Sequence, residues 1–320
     1  DGNAGYGNGR FAMDINVIWV PKALESTRNI LAILKEMGFS PEELERIAPE
    51  LRGTTLEAYV RHPSLLETAI RTWRGAARHF WVSFSREEIR AQVTARIEWL
   101  PDPEKRYWSS MLEKIQLPST LRFLALSLDS LGKPIPIANT DPAMLLFLEE
   151  PAEPGPPAAT NDWNLSNLID IILLPYPVGL FVDRLGPLAA NDAYASQTIW
   201  EEFRQDRYHS PYVVWGREVN LLLLGLTKQL LGSLDARGKP KHESLATYVE
   251  TLRHALKKTL NAAEASGLKH NELWTYRIEQ GKLLPVRYPT GSDIQLWNTT
   301  DLAVQFLLDR LHQSSPSEGE

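Results

Sequence analysis

Between residues 242 and 265, Leu245, Tyr248, Val249, Leu252, Leu256 and Leu260 recur at helical spacing. A stripe with that period is buried only as a helix lying against a partner. The same period runs through 22–38 (Ala23, Ile30, Leu31, Leu34, Met37), which stops at Gly38. It returns in 63–80 (Leu66, Ala69, Ile70, Trp73) and in 86–99 (Ile89, Val93, Ile97). Pro41-Glu42-Glu43 opens a further short helix, with proline in its first turn. Helices are also expected over 103–116, 141–149, 192–205, 217–231 and 298–312. Strand signals are confined to 121–128 and 283–288, with turn chemistry at Gly132-Lys133-Pro134 and Gly281-Lys282. This balance predicts an all-α fold of helical hairpins arranged around a centre. One helical domain is expected over 1–312, crossed by a Pro-rich loop at 151–160 and followed by a frayed tail over 313–320.

Composition narrows the function classes. The chain has 320 residues, of which 43% are hydrophobic, enough for a substantial core. No run of 18 apolar residues exists, so no membrane-spanning helix is expected. Net charge is −6 and the basic residues are scattered, which argues against a nucleic-acid surface. Cysteine is absent, excluding disulfides, thiol nucleophiles and thiolate metal sites. That absence fits a periplasmic or secreted home and is permitted in a reducing compartment. The histidines are not at metal-ligand spacing. The glycine run Gly5-Tyr6-Gly7-Asn8-Gly9 follows no strand and precedes no Lys-Ser/Thr pair, so it is not a phosphate loop. Neither a metal nor a cofactor is expected. The start at Asp1, inside a glycine-rich run, suggests that a preceding part of the protein is missing, leaving this end artificially exposed.

Polar, aromatic segments at the ends of the apolar helices are the candidates for chemistry. The first is Gly9 to Trp19, where Arg10, Asp14 and Asn16 precede an apolar helix; the plainest role for Asp14 is a helix cap. The second is Tyr208 to Asn220, where His209, Trp215, Arg217 and Glu218 lead into Leu221 to Leu224. Such side chains hydrogen-bond hydroxyls and stack on flat faces, and Tyr212 and Trp215 serve equally as core packing. The third is His270 to Tyr276, with Thr290-Gly291 and Gln295 to Asn298 behind it. Here Glu272 lies beside Trp274, and a carboxylate near an indole loses solvation, which raises its pKa. A fourth, Gly179 to Asp183 and Asn191-Asp192, lines a cleft or caps the helix that follows.

The order of these segments resembles that in the (α/α)6-barrel glycoside hydrolases, above all the trehalase and processing α-glucosidase group. Met13-Asp14-Ile15-Asn16 looks like the family's "DLN" segment. Tyr208 to Asn220 is similar to its "RG-x-(V)W-x-x-N" segment, with His209-Ser210-Pro211 where Arg-Gly would stand. Glu272-Leu273-Trp274, Thr290-Gly291 and Gln295-Leu296-Trp297 look like its base segment, Thr-Gly turn and last aromatic helix. The resemblance spans 1 to about 310 through loose motifs. It implies an (α/α)6-type toroid whose first helices lie upstream of this chain, and an inverting glycosidase acting on an α-glucoside or related oligosaccharide. By that resemblance Glu272 is the base and Asp1 stands where the acid belongs. Arg10, Asp14, Asn16, His209 and Arg217 would hold the sugar, and Trp19, Trp215, Trp274 and Trp297 would wall the subsites. Two other readings stay open: a non-catalytic carbohydrate-binding or scaffolding toroid, and a polysaccharide lyase relying on Tyr208 and His209. Glu272 and another carboxylate facing each other across one pocket would separate hydrolysis from binding alone.

Overall fold

The computed structural model describes residues 12–151, 165–203, 211–293 and 295–314, without the side chains of Trp297, Asn298 and Ser314. The chain opens with α1 (Asn16–Glu36), α2 (Pro41–Ile47), α3 (Thr55–Arg61) and α4 (Pro63–Arg74). Next come β1 (Trp81–Ser85), α5 (Arg86–Glu98), α6 (Glu104–Leu112), β2 (Thr120–Leu124), β3 (Ser127–Leu128), β4 (Pro134–Ile135) and β5 (Ala138–Asn139). Then follow α7 (Met144–Leu148), α8 (Leu165–Leu173), β6 (Phe181–Val182), β7 (Gly186–Pro187), β8 (Ala190–Asn191) and α9 (Gln197–Phe203). The last third holds β9 (Val214–Trp215), α10 (Gly216–Ser233), α11 (Ala246–Ser266), β10 (Leu273–Glu279), β11 (Lys282–Arg287) and α12 (Thr300–Ser314).

The helices start and stop where their side chains dictate. Ser40 and Ser85 each form a capping box, with Glu43 and Glu88, ahead of α2 and α5. Gly267, at a φ of +68°, ends α11 in the left-handed conformation that glycine adopts without a Cβ penalty. Leu222 to Leu226 are all buried in α10, because that helix is packed by α7, α11 and α12 at once. A helix apolar on all sides belongs in the interior. Gly225 permits the closest of these contacts. A Cβ there would lie 2.7 Å from Leu146 Cβ and 2.9 Å from the Phe147 nitrogen. Gln229 Nε2 then donates to the carbonyls of Leu146 and Glu149, each at 3.0 Å, satisfying the end of α7.

The all-α toroid expected from the sequence is overturned. Helix accounts for 57% and strand for 15%, a mixed α and β chain. The strands form several small antiparallel sheets, including the ribbon β1–β2 and the three-stranded β11–β10–β9. Nothing in the described helices indicates a ring. Three of them, α7, α11 and α12, pack on α10 instead. Strand patterning is short because most strands have two residues, too few to show a period. The longest strand is β10, where Trp274, Tyr276 and Ile278 face inward and Arg277 and Glu279 outward. That alternation is present in the sequence, and Gln280-Gly281, both at positive φ, closes the hairpin to β11. Two helices lie outside the expected set, α3 and α8, while α1 begins six residues before 22 and carries Pro21 inside it. Asn191-Asp192 caps no helix, since α9 begins at Gln197.

Asp192 instead anchors the core. Arg96 Nε donates to Asp192 Oδ1 at 2.7 Å and Nη2 to Oδ2 at 3.1 Å, with both side chains almost fully buried. Arg96 Nη2 also donates to Tyr212 Oη at 2.8 Å. The guanidinium carbon lies 4.9 Å from the Trp99 ring centre and 5.3 Å from that of Trp200, whose Nε1 donates to the Asp192 carbonyl. Burial works against the charge on Arg96, but the Asp192 carboxylate outweighs it and holds the proton more tightly than in an ordinary arginine. Removing one partner strands the other. Arg96→Met or Asp192→Ala should therefore cost about 3–5 kcal/mol. Arg96→Met combined with Asp192→Ala should cost clearly less than the sum. Urea unfolding of the three variants checks this, and additive losses would contradict it.

Candidate functional site

Short ladders, rather than long helices, bring the polar segments together. The Asp14 amide donates to the Leu126 carbonyl at 3.0 Å, and Met13 bridges to Ser127. β5 pairs with β8, placing Asn139 opposite Ala190 and its neighbours. The Ala189 amide donates to the Val213 carbonyl at 2.7 Å. β9 pairs with β10, setting Trp215 opposite Leu273, and the Gly216 amide donates to the Glu272 carbonyl at 2.9 Å. A cavity of about 260 Å³ opens where these ladders meet. Its walls include Trp19, Asn139, Asp141, Trp215, Arg217 and Glu218.

The walls are chemically specific. Arg217 lies over the Trp215 ring, 4.0 Å from its centre, and its Nε donates to Glu218 Oε1 at 2.9 Å. Glu218 is buried in the first turn of α10, where the helix dipole favours a carboxylate. Asp141 enters from the turn before α7, and its amide donates to Asn139 Oδ1 at 2.9 Å. Asn139 Nδ2 in turn donates to Asp14 Oδ2 at 2.8 Å. Asp14 has no solvent exposure and does not line the cavity. Its Oδ1 is buried without a hydrogen-bond partner. Burial first, and the nearby Asp141 carboxylate second, push the Asp14 carboxyl well above the usual carboxylate range, which the Asn139 hydrogen bond only partly opposes. Asp14 is a positioning residue locked behind Asn139, in surroundings that favour its protonated form.

The sequence-derived candidates separate accordingly. Trp19, Trp215 and Arg217 line the cavity. Asp14 lies behind it. Asn16 is half-buried in the first turn of α1, away from the lining residues. The α1 start carries no side-chain cap, so Asp14 is not a capping residue; its carbonyl accepts the Val17 amide. Trp274 is 1% exposed and donates from Nε1 to the Leu185 carbonyl, which makes it core rather than a subsite wall. Glu272 is buried beside the site, with its Oε2 accepting from the Ser292 amide at 2.9 Å and from Gln295 Nε2 at 3.2 Å. It joins the site through the backbone and is absent from the lining. Asp1, Arg10, Tyr208 and His209 and the side chain of Trp297 fall outside the described residues. Asn139 and Asp141 are the residues that sequence reasoning did not select, and Glu218, named within the second segment, was given no role of its own. The only hint for the first two is Asn139-Thr140-Asp141-Pro142, a polar cluster ahead of an apolar helix. Among the described residues no group of His, Asp and Glu is arranged to hold a metal ion.

Asp14 leaves a signature in stability. Its folded pKa is raised, so the stability it contributes is complete below its unfolded pKa, about 3.9, and is lost as pH rises through the folded value. Asp14→Asn keeps the acceptor for Asn139 and cannot ionise. Relative to wild type, the variant should gain about 1.4 kcal/mol per pH unit between those two pKa values. Urea midpoints of both proteins from pH 4 to 8 read this directly. Parallel curves would show that Asp14 is already ionised at pH 4.

Comparison with protein-family models, with curated proteins and with solved structures returned no match for this chain.

Proposed function

We propose that this cavity is the sugar site of an inverting glycoside hydrolase acting on an α-glucoside or a related oligosaccharide. The observation that carries the reading is the shared lining: carboxylates from two distant segments, Asp141 and Glu218, in one cavity with the indoles of Trp19 and Trp215. A pyranose presents C–H faces to indole rings and hydroxyls to carboxylates, amides and guanidinium groups. The cavity offers these in Trp19 and Trp215 on one hand and Asn139, Asp141 and Arg217 on the other. Inversion needs a protonated carboxyl and a carboxylate on opposite sides of the bond, with water between them. In this reading Asp141 and Glu218 are the two cavity carboxylates, and Asp14 fixes Asn139 without touching the sugar. Glu272 competes with Glu218 for the role of base, because its carbonyl accepts from the Gly216 amide, between the wall residues Trp215 and Arg217.

Binding without hydrolysis is the second reading, and one observation favours it. The Glu272 carboxylate is engaged in holding Ser292 and Gln295 and does not line the cavity. Calorimetric binding and turnover of a panel of α-glucosides and oligosaccharides separate the readings. Hydrolysis by wild type should fall about 10²–10⁴-fold in kcat in the variant that removes the base, with binding kept. A loss in Glu218→Gln alone assigns the base to Glu218, and a loss in Glu272→Gln alone assigns it to Glu272. Proton NMR of the first product should show the β-anomer from an α-glucoside. Binding with no turnover selects the second reading, and neither binding nor turnover overturns both.

A further inference from the structure

We propose that the outer face of α1 is a dimer surface, on which a second copy of this chain lays its own α1 antiparallel. The inner face of the helix is committed to the chain itself. Val17, Ile18 and Pro21 are buried, Leu24 and Leu31 are half-buried, and α1 packs on α4 and α7. The outer face carries Trp19, Ala23, Ser26, Ile30, Ile33 and the C-cap Met37. Steps of four, three, four, three and four residues separate them, which is the a/d spacing of a coiled coil. All are exposed, Trp19 by 49%, Ile30 by 57%, Ile33 by 55% and Met37 by 67%. The row runs ~27 Å along the helix, at ~1.5 Å per residue, and contains no charged side chain. An apolar row of this length left in water marks an interaction surface.

The spacing selects a helix as the cover, and the order of side chains selects this one. A period of about 3.5 residues matches another helix running alongside. Two α1 helices related by a two-fold axis at the level of Arg28 meet in matched layers. Trp19 meets the partner's Met37, Ala23 the partner's Ile33, and Ser26 the partner's Ile30. Both small side chains then face β-branched ones, the large-against-small interdigitation that fills a seam. The parallel arrangement sets Ala23 against the partner's Ala23 and Ser26 against the partner's Ser26, leaving two adjacent layers hollow. The flanks tolerate the two-fold: Asn29 falls beside the partner's Asn29 and Lys22 beside the partner's Glu36, so no like charges meet. Lys22 is already held by Glu25 and Glu149, so the matched layers carry the pairing. A lipid surface fits less well, because helices that lie on one are lined with Lys and Arg, whereas this flank holds Lys22, Asn29 and Glu36 on a chain of net charge −6. Trp19 belongs both to the seam and to the cavity wall, so pairing brings the partner's Met37 to that wall. The pairing rests on helix geometry and not on the sugar reading.

Sedimentation velocity of the whole chain, over about two decades of concentration around micromolar, tests this. A reversible monomer–dimer equilibrium is expected with no larger species, since a two-fold contact closes on itself. Ile33→Lys puts a charge into two symmetry-related layers and should weaken the dimer at least about tenfold. Circular dichroism should stay unchanged, because Ile33 is exposed in the monomer; Ile30→Lys serves if that variant does not fold. The chain has no cysteine, so introduced ones report the register. Ala23→Cys mixed with Ile33→Cys should form a disulfide under mild oxidation, while neither variant links to itself. A chain that stays monomeric throughout, including one that sediments with phosphatidylcholine–phosphatidylserine vesicles instead, overturns the surface. So does a dimer indifferent to both lysine variants. Failure of the mixed disulfide, or self-linking of either variant, overturns the antiparallel register.

Discussion

The buried pair of Arg96 and Asp192 is the contact on which the rest of the molecule depends. It ties α5 to the segment between β8 and α9, and through Tyr212 to the approach to β9. Both tied segments line the cavity that holds Asp141 and Glu218: Ala190 lies two residues before Asp192, and Trp215 three residues after Tyr212. A bidentate pair among aromatic rings has little freedom to slide. It therefore sets the spacing of two cavity walls as well as the packing of the core. A buried pair of this kind gives up solvation to gain geometry, and here the geometry gained is that of the site.

The same logic governs the smaller polar links. Asn191 Nδ2 donates to the carbonyls of Pro177 and Gly179, at 3.0 and 2.8 Å, holding a loop that has no helix or long strand to brace it. Asp14, Asn139 and Asp141 form a relay in which a buried carboxyl orients an amide, and the amide orients a turn. Arg74 joins Glu25 of α1 to Glu149 just after α7, so the α1–α4 lobe is clamped to the layer that packs on α10. These links are half-buried or buried, where hydrogen bonds to charged groups count for more than at the surface. They let a chain with many short strands keep a defined cavity.

The cavity and the outer face of α1 differ in how they are supported. The cavity walled by Trp19, Asp141 and Glu218 sits on paired backbone and buried polar groups, and its residues come from six separate stretches of chain. The row from Trp19 to Met37 is assembled within α1 and its C-cap alone. Its spacing is thus fixed by the local helical period, whereas reshaping the cavity would disturb the core.

The sequence by itself determined the major helices and their ends. The period of Leu245, Val249, Leu252 and Leu256 is α11, Pro41 and Ser40 mark the start of α2, and Gly267 ends α11, because side-chain spacing and capping are local properties. It also marked Trp19, Trp215 and Arg217, polar or aromatic residues beside apolar helices. Tertiary structure alone decided the rest. Two-residue strands such as β5 and β8 carry no period, so the pairing that places Asn139 is invisible until the fold exists. The same holds for Asp14, read as a helix cap or sugar ligand, for Asp192, read as a helix cap or cleft residue, and for Trp274, read as a subsite wall. Each is buried, because its environment is supplied by residues some 90 or more positions away: Asn139 for Asp14, Arg96 for Asp192, and Leu185 for Trp274. Burial and long-range pairing are properties of the packed chain, and they turned a predicted ring of helices into a mixed chain with three helices packed on α10 and a cavity laced by short strands.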